Sequence, residues 1–239
     1  MPSTSPSSLS TPPGSLEEPL VTVAIPYYAN LAYLAEALAS VQAQSDQRWR
    51  ALVVDDAGPE PATDLVAALD DARIGVVRNA VNLGLAGNWN RCIALATTPW
   101  VTLLHADDRL HRDYVGAVLA AIEQHPDVTA VFTDAAVIGD YGQPRRSLPE
   151  FVKRFARRPG VDHRVEGDRS LASILSNNYV MCPTLTYCTE PARALLFDER
   201  WSMVMDLDHT ASMLLDGQAM WAIRRPLYEY RRHAANTTN

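Results

Sequence analysis

A chain of 239 residues, 47% of them hydrophobic and 21% charged, suits one large globular domain, or one domain with an appended lobe. A formal net charge of −7 excludes the basic excess of a general nucleic-acid binder, and no apolar run reaches the length that spans a bilayer. Three cysteines, Cys92, Cys182 and Cys188, are odd in number and lack metal-ligand spacing. Together with the lack of a secretory leader pattern, they predict a soluble protein in the reduced cytoplasm, with peripheral membrane contact left open.

Residues 1–19 are rich in Ser, Pro and Thr and hold too little apolar surface to offset ordering entropy, so they read as a disordered tail. A first strand is expected over Leu20-Val-Thr-Val-Ala-Ile25, stopping at Pro26-Tyr-Tyr28. Asn30 is placed to cap a helix whose apolar positions Leu31, Leu34, Ala35, Leu38 and Val41 follow a 3.6-residue period. A second strand, Trp49-Arg-Ala-Leu-Val-Val54, ends in Asp55-Asp56; a helix over about 61–70 and a strand Arg73-Ile-Gly-Val-Val-Arg78 follow. Such alternation predicts a parallel sheet with right-handed crossovers.

Residues 79–90 form a Gly/Asn-rich loop leading into a helix to about Ala96. It reads equally as a phosphate-cradling turn or as a helix start capped by Asn, and it matches neither a dinucleotide fingerprint nor a P-loop. After Pro99 the run Trp100-Val-Thr-Leu-Leu-His105 reads as a buried strand ending in Asp107 and Asp108. A helix over about 111–125 and a strand from Val128 towards Ile138 complete this half. The pattern dissolves from Gly139 to Gly167, where Arg145, Arg146, Lys153, Arg154, Arg157 and Arg158 cluster as a solvated face or a basic flap near phosphates. Beyond it are expected a helix over about 168–177, a strand Thr184–Cys188, a short helix Pro191–Leu196, a helix capped by Asp206, and strands Ala219–Arg224 and Leu227–Tyr230.

In open α/β sheets ligands gather beyond the carboxyl ends of strands, and Asp55/Asp56 and Asp107/Asp108 fall there. Adjacent carboxylates repel unless a cation or donors compensate them, and a divalent ion does so while holding phosphates. A helix-capping role for Asp107 and Asp108 is the plainer alternative. With Asp206/Asp208 as a third acidic focus, one site can hold a nucleoside, one a metal over a diphosphate, and one can take a proton from a nucleophile.

Four blocks carry a resemblance: Val21-Thr-Val-Ala-Ile-Pro-Tyr-Tyr28, Leu52-Val-Val-Asp-Asp-Ala-Gly58, Asn79-Ala-Val-Asn-Leu-Gly84 and Leu104-His-Ala-Asp-Asp-Arg-Leu110. In order and spacing they resemble the family 2 glycosyltransferases of the GT-A fold. The later Met205-Asp-Leu-Asp-His209 and Tyr230-Arg-Arg-His-Ala-Ala-Asn236 resemble that family's acidic motif and domain end. The resemblance implies an α/β GT-A fold, with a Rossmann-like, mainly parallel central sheet flanked by helices. One domain over 20–239 would divide into a nucleotide-sugar half, 20–138, and an acceptor half, 139–239. It further implies that Pro26, Tyr28, Asp55 and Asp56 line the nucleoside pocket and that Asn82 and Gly84 approach the donor. Asp107 and Asp108 would serve the ribose and metal (Mg²⁺ or Mn²⁺), and Asp206 would be the catalytic base of an inverting transfer. Donors by family habit are UDP- or dTDP-sugars; the acceptor is a saccharide, a lipid-linked sugar or a small molecule.

The chain departs from the family pattern at two places. His105 stands where many relatives carry the first Asp, and reads as a hydrogen-bonded strand-end residue or as a ligand favouring Mn²⁺. Met205 stands where Glu is frequent, leaving Asp206 as the base, with Asp208 two residues round the helix. His233 is a further candidate metal ligand or phosphate contact, or a solvated side chain. Trp201 reads equally as an acceptor-stacking or a core aromatic. A nucleotidyltransferase would want a basic Gly-rich loop after the first strand, where Pro26-Tyr-Tyr-Ala-Asn30 has no basic residue. A non-catalytic sugar-nucleotide-binding module would want no base, whereas Asp206 is present.

Overall fold

The computed structural model describes residues 18–145, 161–201 and 203–232. Among them, nine strands form one sheet in the order β3-β2-β1-β4-β8-β6-β9-β5, with β7 also paired to β9. The first half is the expected alternation: β1 (Val21–Tyr27), α1 (Leu31–Gln42), β2 (Trp49–Asp55), α2 (Thr63–Ala68), β3 (Ile74–Arg78), α3 (Gly84–Leu95) and β4 (Trp100–Leu103). β1 pairs in parallel with β2 and β4, and β2 in parallel with β3.

The second half is mixed. It holds β5 (Arg109–Leu110), α4 (Tyr114–Gln124), β6 (Ala130–Ile138), β7 (His163–Val165), α5 (Gly167–Asn177), a 3₁₀ turn at Cys182–Thr184, β8 (Leu185–Cys188), α6 (Thr189–Ala194), α7 (Met205–Leu215) and β9 (Met220–Arg231). β8 enters antiparallel between β4 and β6, and a buried Thr102–Thr186 hydroxyl pair at 2.6 Å joins it to β4. The two expected closing strands are one, β9. Its parallel register with β6 shifts around Asp134, opposite Pro226, whose missing N–H cannot complete the ladder. β5 and β7 had no sequence signal, being two and three residues long.

The sheet is buried on both faces, which is why its strands read as continuous apolar runs. Val21, Val23, Ile25 and Tyr27 point one way, into a cluster with Leu34 and Leu38 of α1 and Tyr114, Val115 and Val118 of α4. Ala24 points the other way, with Val101 and Leu103, against Trp89 and Ile93 of α3 and Met213 of α7. Each fully buried Leu or Val contributes about 1.5–3 kcal/mol. Asn30, at φ 74°, caps α1 through its side chain, which accepts from the Tyr33 amide at 3.2 Å, as its spacing predicts. No helix among the described residues is long and apolar enough to cross a membrane.

Candidate active site

Parallel registers set the first acidic pair beside the second. Tyr27 lies opposite Asp55, and the Leu104 amide donates to Ala24 O at 2.9 Å, so β1, β2 and β4 end on one edge. At that edge Asp55 is fully buried and accepts from the Gly58 and Ala62 amides, each at 3.2 Å, and from Arg78 Nη1 at 2.5 Å. Asp56 accepts from Asn79 Nδ2 at 2.9 Å and from the Leu83 and Gly84 amides at 2.8 and 3.0 Å. The Gly/Asn-rich loop thus cradles a carboxylate of this chain at the N-terminus of α3, where the helix dipole favours an anion. Gly84 is needed at φ +75°, and Asn82 Oδ1 accepts from its amide at 2.7 Å. Pro26 is half-buried in β1, whereas Tyr28 is 51% exposed at its end. Gly58 lies so close to Tyr28 that an added Cβ would sit 1.6 Å from the Tyr28 carbonyl oxygen.

The turn after β4 is held from the far end of the chain. β5 pairs with β9, setting Arg109 opposite Glu229 and Leu110 opposite Tyr228. Asp108, fully buried, accepts from Tyr228 OH and from the Arg231 amide, each at 2.7 Å. Burial and the neighbouring Asp107 charge hold its carboxyl well above the usual range, partly offset by those two donors. Arg231 is itself fully buried: Nε donates to the Asp107 carbonyl at 2.7 Å, Nη1 to the Asp140 carbonyl at 2.7 Å and Nη2 to Glu36 at 2.5 Å. Asp107 is half-buried beside this lock.

Ligand atoms of His105, Asp107 and Asp108 all lie within 4.8 Å of one another. Two carboxylates and an imidazole form a donor set that a divalent cation can use. The His105 ring lies 5.0 Å from Trp89, Trp89 5.0 Å from Phe197, and Phe197 stacks on His209 at 4.1 Å. This aromatic chain ties the acidic turn to α7. Asp206 lies in the first turn of α7, and its Oδ1 accepts from the Leu207 amide at 2.8 Å. Burial lowers the basicity of His105, and the charges of Asp107 and Asp206 both oppose that shift, so the two acids act on one imidazole. Asp208 shares that first turn and is half-buried. The expected cap sits two residues earlier, at Val204, where no side chain bonds the helix end.

His233 and most of the basic 145–158 segment lie outside the described residues. Trp201 is 45% exposed. Sequence reasoning missed Arg231, Tyr228, Arg78 and Trp89. The first two sit in an apolar-polar strand that gives no hint of its partner, and only an arginine inside a strand could have marked Arg231.

A family model described as glycosyl transferase family 2 matches residues 22–179. The chain belongs to glycosyltransferase family 2. Among its relatives, the uncharacterized protein y4gI of Sinorhizobium fredii is 33% identical over 128 residues, covering 52% of this chain and 14% of that protein. The amylovoran biosynthesis glycosyltransferase AmsB of Erwinia amylovora is 26% identical over 219 residues, 87% of this chain and 68% of AmsB. The crystal structure of S. aureus TarS 1-349 in complex with UDP-GlcNAc superposes with a TM-score of 0.70 at 17% identity, over 91% of this chain and 60% of that one. At that identity the likeness is one of fold, and it is the GT-A architecture expected for family 2. The family 2 chain thus spans only part of the length of y4gI and of the TarS chain.

Proposed function

We propose that this chain transfers a glycosyl group from a nucleoside-diphosphate sugar to an acceptor hydroxyl, with inversion and with help from a divalent metal, in the building of a bacterial-type polysaccharide. The observation that carries the reading is the gathering of His105, Asp107 and Asp108 ligand atoms within 4.8 Å at the end of β4, linked through the Trp89, Phe197 and His209 rings to α7, which bears Asp206. AmsB, named for polysaccharide synthesis, and the UDP-GlcNAc complex of TarS support the donor and product class.

In this reading Pro26 and Tyr28 flank the nucleoside, with Asp55 and Asp56 shaping the pocket through the amides they hold. Asn82 and Gly84 border the donor at the start of α3. Asp107 and Asp108 would hold Mg²⁺ or Mn²⁺, with His233 as a further candidate; the bound ion would supply charge neutralisation for the pyrophosphate. Asp206 accepts the proton of the acceptor hydroxyl as its oxygen attacks the anomeric carbon. The bond from that carbon to the diphosphate oxygen breaks, the electron pair leaves with the nucleoside diphosphate, and a single displacement inverts the centre. The favoured donors are UDP- and dTDP-sugars; the acceptor is a saccharide, lipid-linked sugar or small molecule shaped by residues beyond 139. Free Cys92, Cys182 and Cys188 support a reduced, cytoplasmic setting.

The test is calorimetry with UDP- and dTDP-sugars with and without Mn²⁺, followed by transfer assays on the wild type and on Asp206→Asn. Donor binding should survive the substitution while turnover falls by about 10²–10⁴-fold. Unchanged turnover would remove Asp206 as the base, and donor binding without transfer across a broad acceptor panel would make the chain a sugar-nucleotide-binding module.

A further inference from the structure

His105 is not built like a structural histidine. Among the described residues no hydrogen bond reaches its Nε2, which is buried, and its Nδ1 lies 3.8 Å from Asp108 Oδ2, too far for one. The ring is nonetheless fixed, tilted 30° over Trp89 and with its backbone amide donating to Tyr228 OH at 3.3 Å. The expectation of a hydrogen-bonded strand-end histidine therefore does not describe this side chain. Beside it, Asp108 has both oxygens engaged, one by Tyr228 OH and one by the Arg231 amide, and has no exposure. A cation approaching the acidic turn meets one carboxylate already shared with two internal donors and an imidazole that shares its nitrogens with none.

We propose that His105 is a ligand of the catalytic cation and that it makes the site select a nitrogen-tolerant transition ion, Mn²⁺ or Co²⁺, over Mg²⁺. The proposal rests on the glycosyltransferase reading of the same site. Its chemistry is that of the donor set. Mg²⁺ takes near-ideal octahedral oxygen ligands and gains little from imidazole. First-row transition ions accept nitrogen, and their affinity rises along the series from Mn²⁺ to Co²⁺. With Asp108 engaged by Tyr228 and Arg231, the nitrogen contributes a larger share of the binding than it would in an all-carboxylate site.

The experiment uses the full chain stripped of metal, titrated with Mn²⁺, Co²⁺ and Mg²⁺ by calorimetry, with and without UDP. The wild type should bind Mn²⁺ and Co²⁺ more tightly than Mg²⁺. His105→Gln should weaken Mn²⁺ and Co²⁺ about 10–100-fold with little change for Mg²⁺, and His105→Asp should shift the preference back towards Mg²⁺. Pulsed electron paramagnetic resonance on bound Mn²⁺ should show coupling to one imidazole nitrogen in the wild type and none in His105→Gln. An unaltered Mn²⁺-to-Mg²⁺ affinity ratio in His105→Gln, or no nitrogen coupling in the wild type, overturns the proposal even if sugar transfer is intact. Nitrogen coupling in a protein that transfers no sugar would instead sustain the ligand and remove the enzyme reading.

Discussion

The Arg231 amide donates to Asp108 Oδ1 at 2.7 Å, and Nε of the same residue donates to the Asp107 carbonyl at 2.7 Å, so the end of β9 grips the acidic turn at two points. The guanidinium is fully buried, also holds Glu36, and lies 4.4 Å from the Tyr33 ring. Replacing it with Met leaves the Asp107 and Asp140 carbonyls without this donor, while Glu36, 39% exposed, keeps Arg109 Nη1 at 3.4 Å. Losing a charged donor from two carbonyls and a partly exposed carboxylate costs about 1.5–3 kcal/mol. Arg231→Met should therefore lower the urea midpoint sharply. Arg231→Lys, which keeps the charge and the backbone donor but lacks the planar fork, should fold with an intermediate midpoint and bind Mn²⁺ more weakly than the wild type. A Lys variant with wild-type Mn²⁺ affinity by calorimetry would deny Arg231 any positioning role.

Asp56 caps α3 from outside the helix. Its carboxylate takes the Leu83 and Gly84 amides and the Asn79 side chain, so Asp56→Ala leaves three donors without that acceptor at once. A lost cap costs about 1–2 kcal/mol, and the loss of the Leu83 bond adds to it, while the Gly84 amide keeps Asn82 Oδ1 at 2.7 Å and Asn79 Nδ2 keeps Asn88 Oδ1 at 3.1 Å. The expected result is a drop of about 2–3 kcal/mol in unfolding free energy, with faster hydrogen exchange at the Leu83 and Gly84 amides. Asp56→Asn, which keeps one carbonyl acceptor, should recover part of the loss. Equal stability of Asp56→Ala and the wild type would show that Asn82 and Asn88 replace the cap and that the Leu83 amide finds another partner at no cost.

Gly58 tests the closest approach at the nucleoside end. An ideal Cβ there would stand 1.6 Å from the Tyr28 carbonyl oxygen, which is backbone and cannot rotate away. Gly58→Ala must push the β2 turn off the end of β1, an overpacking cost of about 3 kcal/mol or more. Because the Gly58 amide also feeds Asp55, the shift should disturb Tyr28 and Asp55 together. Calorimetry with UDP should show weakened binding alongside the lowered thermal midpoint. An Ala variant that matches the wild type in both would mean the turn is looser than its contacts imply.

Much of this arrangement was legible in the chain because it is local or periodic. The parallel half follows from apolar strands alternating with amphipathic helices, and the Asn30 cap follows from one side chain at one position. The acids at strand ends were legible because a buried strand seldom stops in paired Asp without a purpose. What escaped is what depends on residues brought together over long sequence distances. The Arg231–Asp108 bond joins positions 123 apart, and β5, at two residues, exists only because β9 lies beside it. Likewise, the Gly/Asn-rich loop left phosphate cradle and helix start undecided, since the anion it holds, Asp56, comes from the end of another strand.

His209 gives a pH dependence with a definite sign. It is 2% exposed, both ring nitrogens lack partners among the described residues, and it stacks on Phe197 at 4.1 Å. Burial pushes its pKa down from 6.5 to about 4. Between those values the unfolded chain takes up a proton that the folded chain refuses, so stability is retained above pH 6.5 and falls as the pH drops towards about 4. At the bottom of that window the loss from this one ring is about 3 kcal/mol. His209→Phe keeps an aromatic ring against Phe197 and Tyr187 and removes the titration. Urea unfolding at pH 7.5 and pH 4.5 should therefore show a smaller acid-side loss in the variant than in the wild type. Acid-sensitive carboxylates elsewhere contribute to both proteins alike, so the difference between the two losses isolates the imidazole. If wild type and His209→Phe lose the same stability between the two pH values, the ring is either solvated or paired in solution, and the buried aromatic link from α7 to the acidic turn is looser than its 4.1 Å stacking indicates.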